Sequence, residues 1–322
     1  MAGERVTRRT AIMVKLEAVY GVAETTFAAT DAILLAEPPQ FLIEPDNVDR
    51  NLVTPWLGNS EQLPATRRAK LNFKVELAGS GAAGTAPAWG KLMRGCGFAE
   101  TVFAGNRVEY TPLNELYEGL TFRFFRDGVR YLARGGRGMS KFLLNSYGIP
   151  MAEFEFWAFD AQALATSIPA IDVSNFIRPE VVTDANSGDI RLGATLTTGT
   201  IAGGTVLQSK GISLDFGIKL DHRKLLGGER IAIMDRKVSG QMTVELDAAT
   251  EITWRADVNA NTLTTLGFNH GTTAGNRIGV FMPRMQRTTP QGIDDDGSLL
   301  IQNDLRALPG TSGAPEIIII AK

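Results

Sequence analysis

The chain has little of what most enzymes work with. Among 322 residues there is one cysteine, Cys96, and there are two histidines, His222 and His270. A single cysteine excludes an intramolecular disulfide and a cysteine-built metal cage, and it suits a reducing cytoplasm. Its expected role is that of a small buried apolar residue. Two distant histidines give no pair at ligand spacing and little material for acid and base chemistry. No charge of one sign dominates: 33 basic side chains stand against 35 acidic ones, so nothing global calls for nucleic acid or an anionic membrane. No apolar run approaches the roughly 18 residues that a membrane-spanning helix needs. Arg5, Arg8 and Arg9 precede apolar Ala11 to Val14, but Lys15 and Glu17 interrupt the run before a secretory signal can form. The expectation is a soluble chain without membrane insertion or leader.

What is present is enough apolar material, 44%, to build packed cores over a length that suits two ordinary domains. The sequence also repeats itself. Val75, Glu76 and Leu77 return as Val244, Glu245 and Leu246, an offset of 169 residues (75 to 244). The same offset aligns Leu57 and Gly58 with Leu226 and Gly227, Arg67 and Arg68 with Arg236 and Lys237, and Asp127 and Gly128 with Asp296 and Gly297. One residue further on, Gly97 and Phe98 match Gly267 and Phe268, and Gly105 to Val108 match Gly275 to Ile278. Ordered landmarks at a fixed spacing point to a tandem duplication. The expected organisation is an N-terminal arm over 1–32, a first domain over 33–160, a linker over 161–202 and a second domain over 203–322. Ile12, Val14 and Val19 give the arm apolar side chains, so it is expected to order on assembly. The linker carries Pro169, Pro179 and the Gly/Thr-rich stretch from Gly188 to Thr205, a composition of extended or irregular chain.

Within a repeat the apolar period is two. Leu71, Phe73, Val75 and Leu77 alternate with Asn72, Lys74 and Glu76, the pattern of a strand with one buried face. Phe154 and Phe156 alternate with Glu153 and Glu155 in the same way. Asp127 and Gly128 sit between two strand-like runs and suit a tight hairpin turn with positive φ. One helix per repeat is expected. In the first, Thr85 is the cap, Pro87 lies in the first turn, and Trp89, Leu92, Met93 and Cys96 share a face before Gly97 ends it; the second runs from Thr253 to Leu266, with Trp254 and Val258 inward. Each repeat reads as a β-sandwich or half-barrel with one packed helix.

The chemical motifs are weak. Gly79, Gly81 and Gly84 spell the dinucleotide-binding glycine pattern after a strand and before a helix. The strand alternates instead of being apolar throughout, and the second repeat has Asp247 to Thr250 at this place, so a flexible loop is the expectation. Asp294, Asp295, Asp296 and Gly297 resemble the start of a calcium loop but lack its alternating carboxylates and closing glutamate, which leaves a polar turn. No GxSxG elbow occurs. Arg123, Arg126, Arg130, Arg134, Arg137 and Lys141 crowd one stretch with Phe122, Phe124, Phe125 and Tyr131 among them. That mixture suits single-stranded nucleic acid; the preferred reading is arginines that pair with acidic surfaces of neighbouring subunits. No cofactor, metal or catalytic residue is expected.

Lys15 to Gly21 followed by Thr30 to Leu34, and the block from Val75 to Phe98, make the chain similar to the tail tube (major tail) proteins of siphophages. The resemblance spans essentially the whole chain, including Gly275 to Pro283. It implies a mainly β fold of two tandem tail-tube-like domains whose strands join an intersubunit β-barrel. The function it implies is that of a virion protein that assembles in the bacterial host cytoplasm into stacked rings, the conduit for DNA ejection. Many such rings hold six single-domain subunits, so the duplication suggests three double-domain chains in a pseudo-sixfold ring. About four strands per repeat would give roughly 24 strands and a circumference of about 115 Å. Strand tilt widens the diameter to nearly 50 Å, enough for duplex DNA. The implied partners are further copies of the chain, the tape-measure, tail-terminator and distal-tail proteins, and DNA in transit. The alternative is a receptor-binding or head-decoration protein, which would stay a discrete oligomer.

Two segments, Asp46 to Thr66 and Lys219 to Asp235, spend about 20 residues on a connection that usually takes two to five. They are expected to be long loops that reach the next ring, with Val53, Trp56 and Leu57, and Leu225, Leu226 and Ile231, as contact residues. Arg123, Arg126, Arg130, Arg134 and Arg137 are the expected intersubunit contacts on the basic stretch.

Overall fold

The alternating pattern forms strands almost everywhere it occurs. The computed structural model describes residues 4–187 and 190–322. The chain is mainly β. In the first half run β1 (Thr10–Leu16), β2 (Ala32–Ile33), β3 (Gln40–Asp49), β4 (Gln62–Glu76), helix α1 (Gly90–Gly95), β5 (Phe98–Phe103), β6 (Arg107–Pro112), β7 (Leu120–Arg126), β8 (Val129–Asn145) and β9 (Met151–Ala165). Four short strands follow: β10 (Ile190–Leu192), β11 (Thr195–Thr197), β12 (Thr200–Ala202) and β13 (Thr205–Leu207). The second half has β14 (Ser209–Asp215), β15 (Ile218–Leu225), β16 (Gly228–Arg236), β17 (Ser239–Val244), α2 (Ala248–Asn259), β18 (Leu263–His270), β19 (Ile278–Asp295), β20 (Ser298–Ala307) and β21 (Ile318–Ala321).

In β4 the apolar set Leu71, Phe73 and Val75 is buried, while the other face is held by ion pairs across to β9, Lys70 to Glu155 at 2.8 Å and Lys74 to Glu153 at 2.9 Å. Asp127 and Gly128 turn the β7–β8 hairpin with φ of +35° and +86°, and Asp296 and Gly297 turn β19–β20 with +50° and +91°. Both tight turns are where the sequence puts them. Element order runs in parallel in the two halves, but strand pairing does not: β4 lies beside β9, whereas β17 lies beside β20.

The halves are joined by backbone and by core. β8 pairs with β14 from Lys141 to Asn145, and β6 pairs with β21 from Val108 to Tyr110. Phe216, fully buried, stands edge-on to Phe98 and Phe142 of the first half at ring distances of 5.2 and 5.1 Å. One apolar cluster runs through both halves.

Several expectations are corrected. Residues 10–16 are not a free arm: β1 pairs with β7 along its whole length and buries Ile12 and Val14 in the shared core. The apolar side chains that were to find a partner on assembly find one in their own chain, while Val19 stays exposed. Of the expected linker, 190–202 takes the extended form, as β10, β11 and β12. Residues 1–3 of the expected arm and Gly188 and Asp189 of the expected linker lie outside the described residues. Helix α1 is only six residues long and Thr85 does not cap it; Trp89 precedes it, buried, with its indole N–H donated to the Ala78 carbonyl at 2.7 Å. The expected inward residues Trp89, Leu92, Met93 and Cys96 are buried. Helix α2 begins and ends earlier than expected. Asp247 caps it by accepting from the Thr250 N–H at 2.7 Å. The run from Leu263 onward is strand β18, since Leu266 and Phe268 alternate into the core instead of recurring at helical spacing.

Candidate functional site

The two segments that the sequence marks as overlong are ribbons more than loops. β3 and β4 stay paired out to Asp49 and Gln62, and only 50–61 is irregular. β15 and β16 pair from Ile218 to Leu225 and turn on Leu226 and Gly227 alone. Continued pairing satisfies the backbone polar groups of a projecting element, so the excursion needs no core of its own. A Lys224 to Asp46 ion pair ties the two ribbons together near their ends.

The tips are apolar and bare. Val53, Leu57 and Leu226 are fully exposed and Trp56 is 76% exposed; Leu225 is exposed as well. Ile231 is the exception and corrects the expectation, because it is completely buried in the middle of β16. Its backbone is clamped there. The Tyr20 hydroxyl accepts from the Ile231 N–H at 2.8 Å and donates to its carbonyl at 3.0 Å, and Arg137 donates to the same carbonyl at 2.9 Å.

The basic stretch is used largely inside the chain, and its expected contacts with neighbouring subunits stay a proposal. Arg137 donates to the carbonyls of Tyr117 and Ile231 and, at 3.3 Å, of Glu118, and lies 4.0 Å over the Tyr20 ring; burial pushes its pKa down. Arg134 donates to the Gly21 carbonyl at 3.0 Å. Arg123 donates to the Thr25 carbonyl at 2.6 Å and stacks on Phe27. Three arginines thus fasten residues 20–27 to the sheet. Glu17 completes the fastening, accepting from the N–H groups of Gly21 and Gly135 and from the Thr121 hydroxyl. Sequence reasoning missed Glu17 and Tyr20 as anchors; the only signal was their place in the Lys15 to Gly21 block. Arg126 lies over Phe124, and Arg130, half-buried, has no acidic partner among the described residues.

The glycine motif is neither a phosphate cradle nor a flexible loop. Gly79 N–H donates to the Asn276 side chain at 2.8 Å and Gly81 N–H to the Gly275 carbonyl at 3.0 Å. A Cβ on Gly79 would lie 1.9 Å from that carbonyl oxygen, so glycine is required by close backbone approach. The N–H groups of Gly79 and Gly81 are therefore taken.

The two histidines lie apart. His222 Nε2 is 2.6 Å from Glu229 on the facing strand. His270 is buried: Nε2 donates to the Glu180 carbonyl at 3.0 Å, which leaves Nδ1 to accept from Ser187 at 2.9 Å. Burial lowers its pKa. The acidic turn is a turn: Asp294 accepts from the Gly297 N–H at 2.9 Å and Asp295 pairs with Lys210. Cys96 is buried, and that burial pushes its thiol pKa up, out of the reactive range. Among the described residues no helix is long and apolar enough to cross a membrane.

What the geometry offers is surface for association. Beside a sheet shared by both halves, the β3–β4 and β15–β16 ribbons carry apolar tips, and residues of the suspected chemical motifs are spent on structure. A search of curated proteins found no match. The family model for phage tail tube protein matches residues 7–311, nearly the whole chain, and the chain therefore belongs to the phage tail tube protein family.

Proposed function

We propose that this chain is the tube-forming subunit of a siphophage tail: three copies close into a pseudo-sixfold ring, and rings stack into the conduit through which DNA leaves the capsid. The observation that carries this reading, beside the family, is the pair of tied ribbons with bare tips. A Trp, a Val and two Leu side chains held largely in water beyond the ends of well-paired strands are a poor surface for a solitary subunit and a good one for a stacking contact.

Closure of the ring draws support from open sheet edges. Among the described residues β3 pairs only with β4, and β5 only with β6, so each leaves one side free to join a neighbour's sheet and remove the edge. The parallel order of elements in 33–160 and 203–322 supports a duplicated unit that fills two places of the ring. Partners on this reading are other copies, the tape-measure, terminator and distal-tail proteins, and transient DNA, with assembly in the host cytoplasm. The test is electron microscopy of the purified protein: rings and hollow tubes are expected, and a discrete oligomer that never stacks would favour an adhesive or decoration role instead.

A further inference from the structure

A cleft of about 350 Å³ opens beneath the β15–β16 ribbon, walled by Tyr20, Tyr117, Arg137, Arg223, Arg230 and Met234 among others. Three guanidinium groups line it and no carboxylate does. Arg223 and Arg230 stand directly opposite each other across the ribbon, an arrangement that costs stability when both residues carry the same charge. Asp221 lies 3.5 Å from Arg223, with both side chains well exposed, and Glu229 on the same ribbon is engaged by His222. Arg230 has no acidic partner among the described residues. Nearby carboxylates are committed elsewhere: Glu118 to Arg94, and Glu17 to Thr121 and two backbone N–H groups. At the small end of the usual range for ligand pockets, about 300–1,000 Å³, the cleft suits a side chain or two.

We propose that this cleft receives a carboxylate from a second copy of this chain, supplied by the β19–β20 turn at Asp294 to Asp296. That turn is the densest acidic run in the sequence. Asp294 and Asp296 are exposed, and among the described residues only Asp295 has a basic partner. Exposed Leu299 stands beside the acids, as exposed Met234 stands beside the arginines, so charge and apolar surface match together. The inference rests on the ribbon being a contact between copies, and it adds what that contact recognises: an acidic turn, met by a like-charged pair that is unfavourable until the anion arrives.

The direct test places cysteines at both sides, Arg230→Cys with Asp296→Cys in the full chain, where native Cys96 is buried. Mild oxidation of assembled protein should give a ladder of linked chains that neither single variant gives. In parallel, Arg230→Glu should weaken assembly about tenfold or more, a cost of about 1.4 kcal/mol, and Asp294→Arg with Asp296→Arg in the same chain should restore it. Free-subunit melting should not fall, and Arg230→Gln should behave as a milder version. If Arg230→Glu assembles normally while Leu226→Ser does not, the ribbon contact stands and the acidic-turn proposal is overturned. If neither changes assembly, both fall. Saturable binding of millimolar inorganic phosphate to isolated subunits, with no rescue by the double reversal, would mean a small-anion site and also overturn it.

Discussion

Changing Trp56 and Leu226 together to serine separates a stacking contact from a folding one. In the free subunit these side chains have little to lose, since Leu226 is fully exposed and Trp56 is 76% exposed. Exposed substitutions of this kind cost within about 0.5 kcal/mol each. Buried between rings, Leu226 would contribute about 2 kcal/mol and Trp56, covering about 150–200 Å², about 4 kcal/mol. Ordering the ribbons on contact offsets part of this, and a net of about 3 kcal/mol is a reasonable half. That is about a hundredfold in the association constant for each subunit contact. Sedimentation velocity across a concentration series should show rings or free subunits where the unaltered protein forms tubes, with a melting temperature within about 3 °C of the original. Ile231→Ala should do the reverse, costing the subunit about 2–5 kcal/mol because the side chain is wholly buried. A variant at Trp56 and Leu226 that melts much lower yet stacks normally would refute the reasoning, because it would place these residues in the core.

Gly79→Ala should destabilise the subunit by about 1–3 kcal/mol in chemical denaturation, since its Cβ would meet the Gly275 carbonyl at 1.9 Å; an unchanged midpoint would show that the two loops are not locked. Phe216→Ala should cost about 3–5 kcal/mol and lower the midpoint for both halves together, because its ring packs on Phe98 and Phe142; separate transitions would mean independent halves. Burial holds the folded-state pKa of His270 below its usual value, so the unfolded chain takes up the proton first. The stability from neutral His270 is full above about pH 6.5 and is lost as pH falls from there through the lower folded value. His270→Asn should flatten the melting temperature over that window, and an unaltered slope would contradict the assignment.

Much of the fold was legible because period-two patterns and Asp-Gly turns act locally. β4, the β7–β8 hairpin and the β19–β20 hairpin sit where Leu71 to Leu77, Asp127 to Gly128 and Asp296 to Gly297 put them. What the sequence hid depends on contacts distant along the chain. Nothing near Arg137 says that its partners are Tyr20 and the Ile231 backbone, and nothing near Gly79 points to Gly275. Ile12 and Val14 read as an arm in need of a surface because β7, the strand that covers them, lies more than a hundred residues away. The same blindness put Ile231 at a tip: its side chain turns into the body from the middle of a ribbon whose neighbouring positions, Arg230 and Met234, stay exposed. Exposed tips at Leu57 and Leu226 were readable, because those residues interrupt segments too long for an ordinary connection.

Copies of this chain should build a tube, and electron cryomicroscopy of the purified full-length protein at high concentration can show it. Hollow tubes are expected, with three chains per ring, six similar units around the lumen, and the 50–61 loop and Leu226 turn of one ring seated on the next. Particles that remain single subunits or closed discrete oligomers at every concentration, with the tips of both ribbons in solvent, would contradict the account.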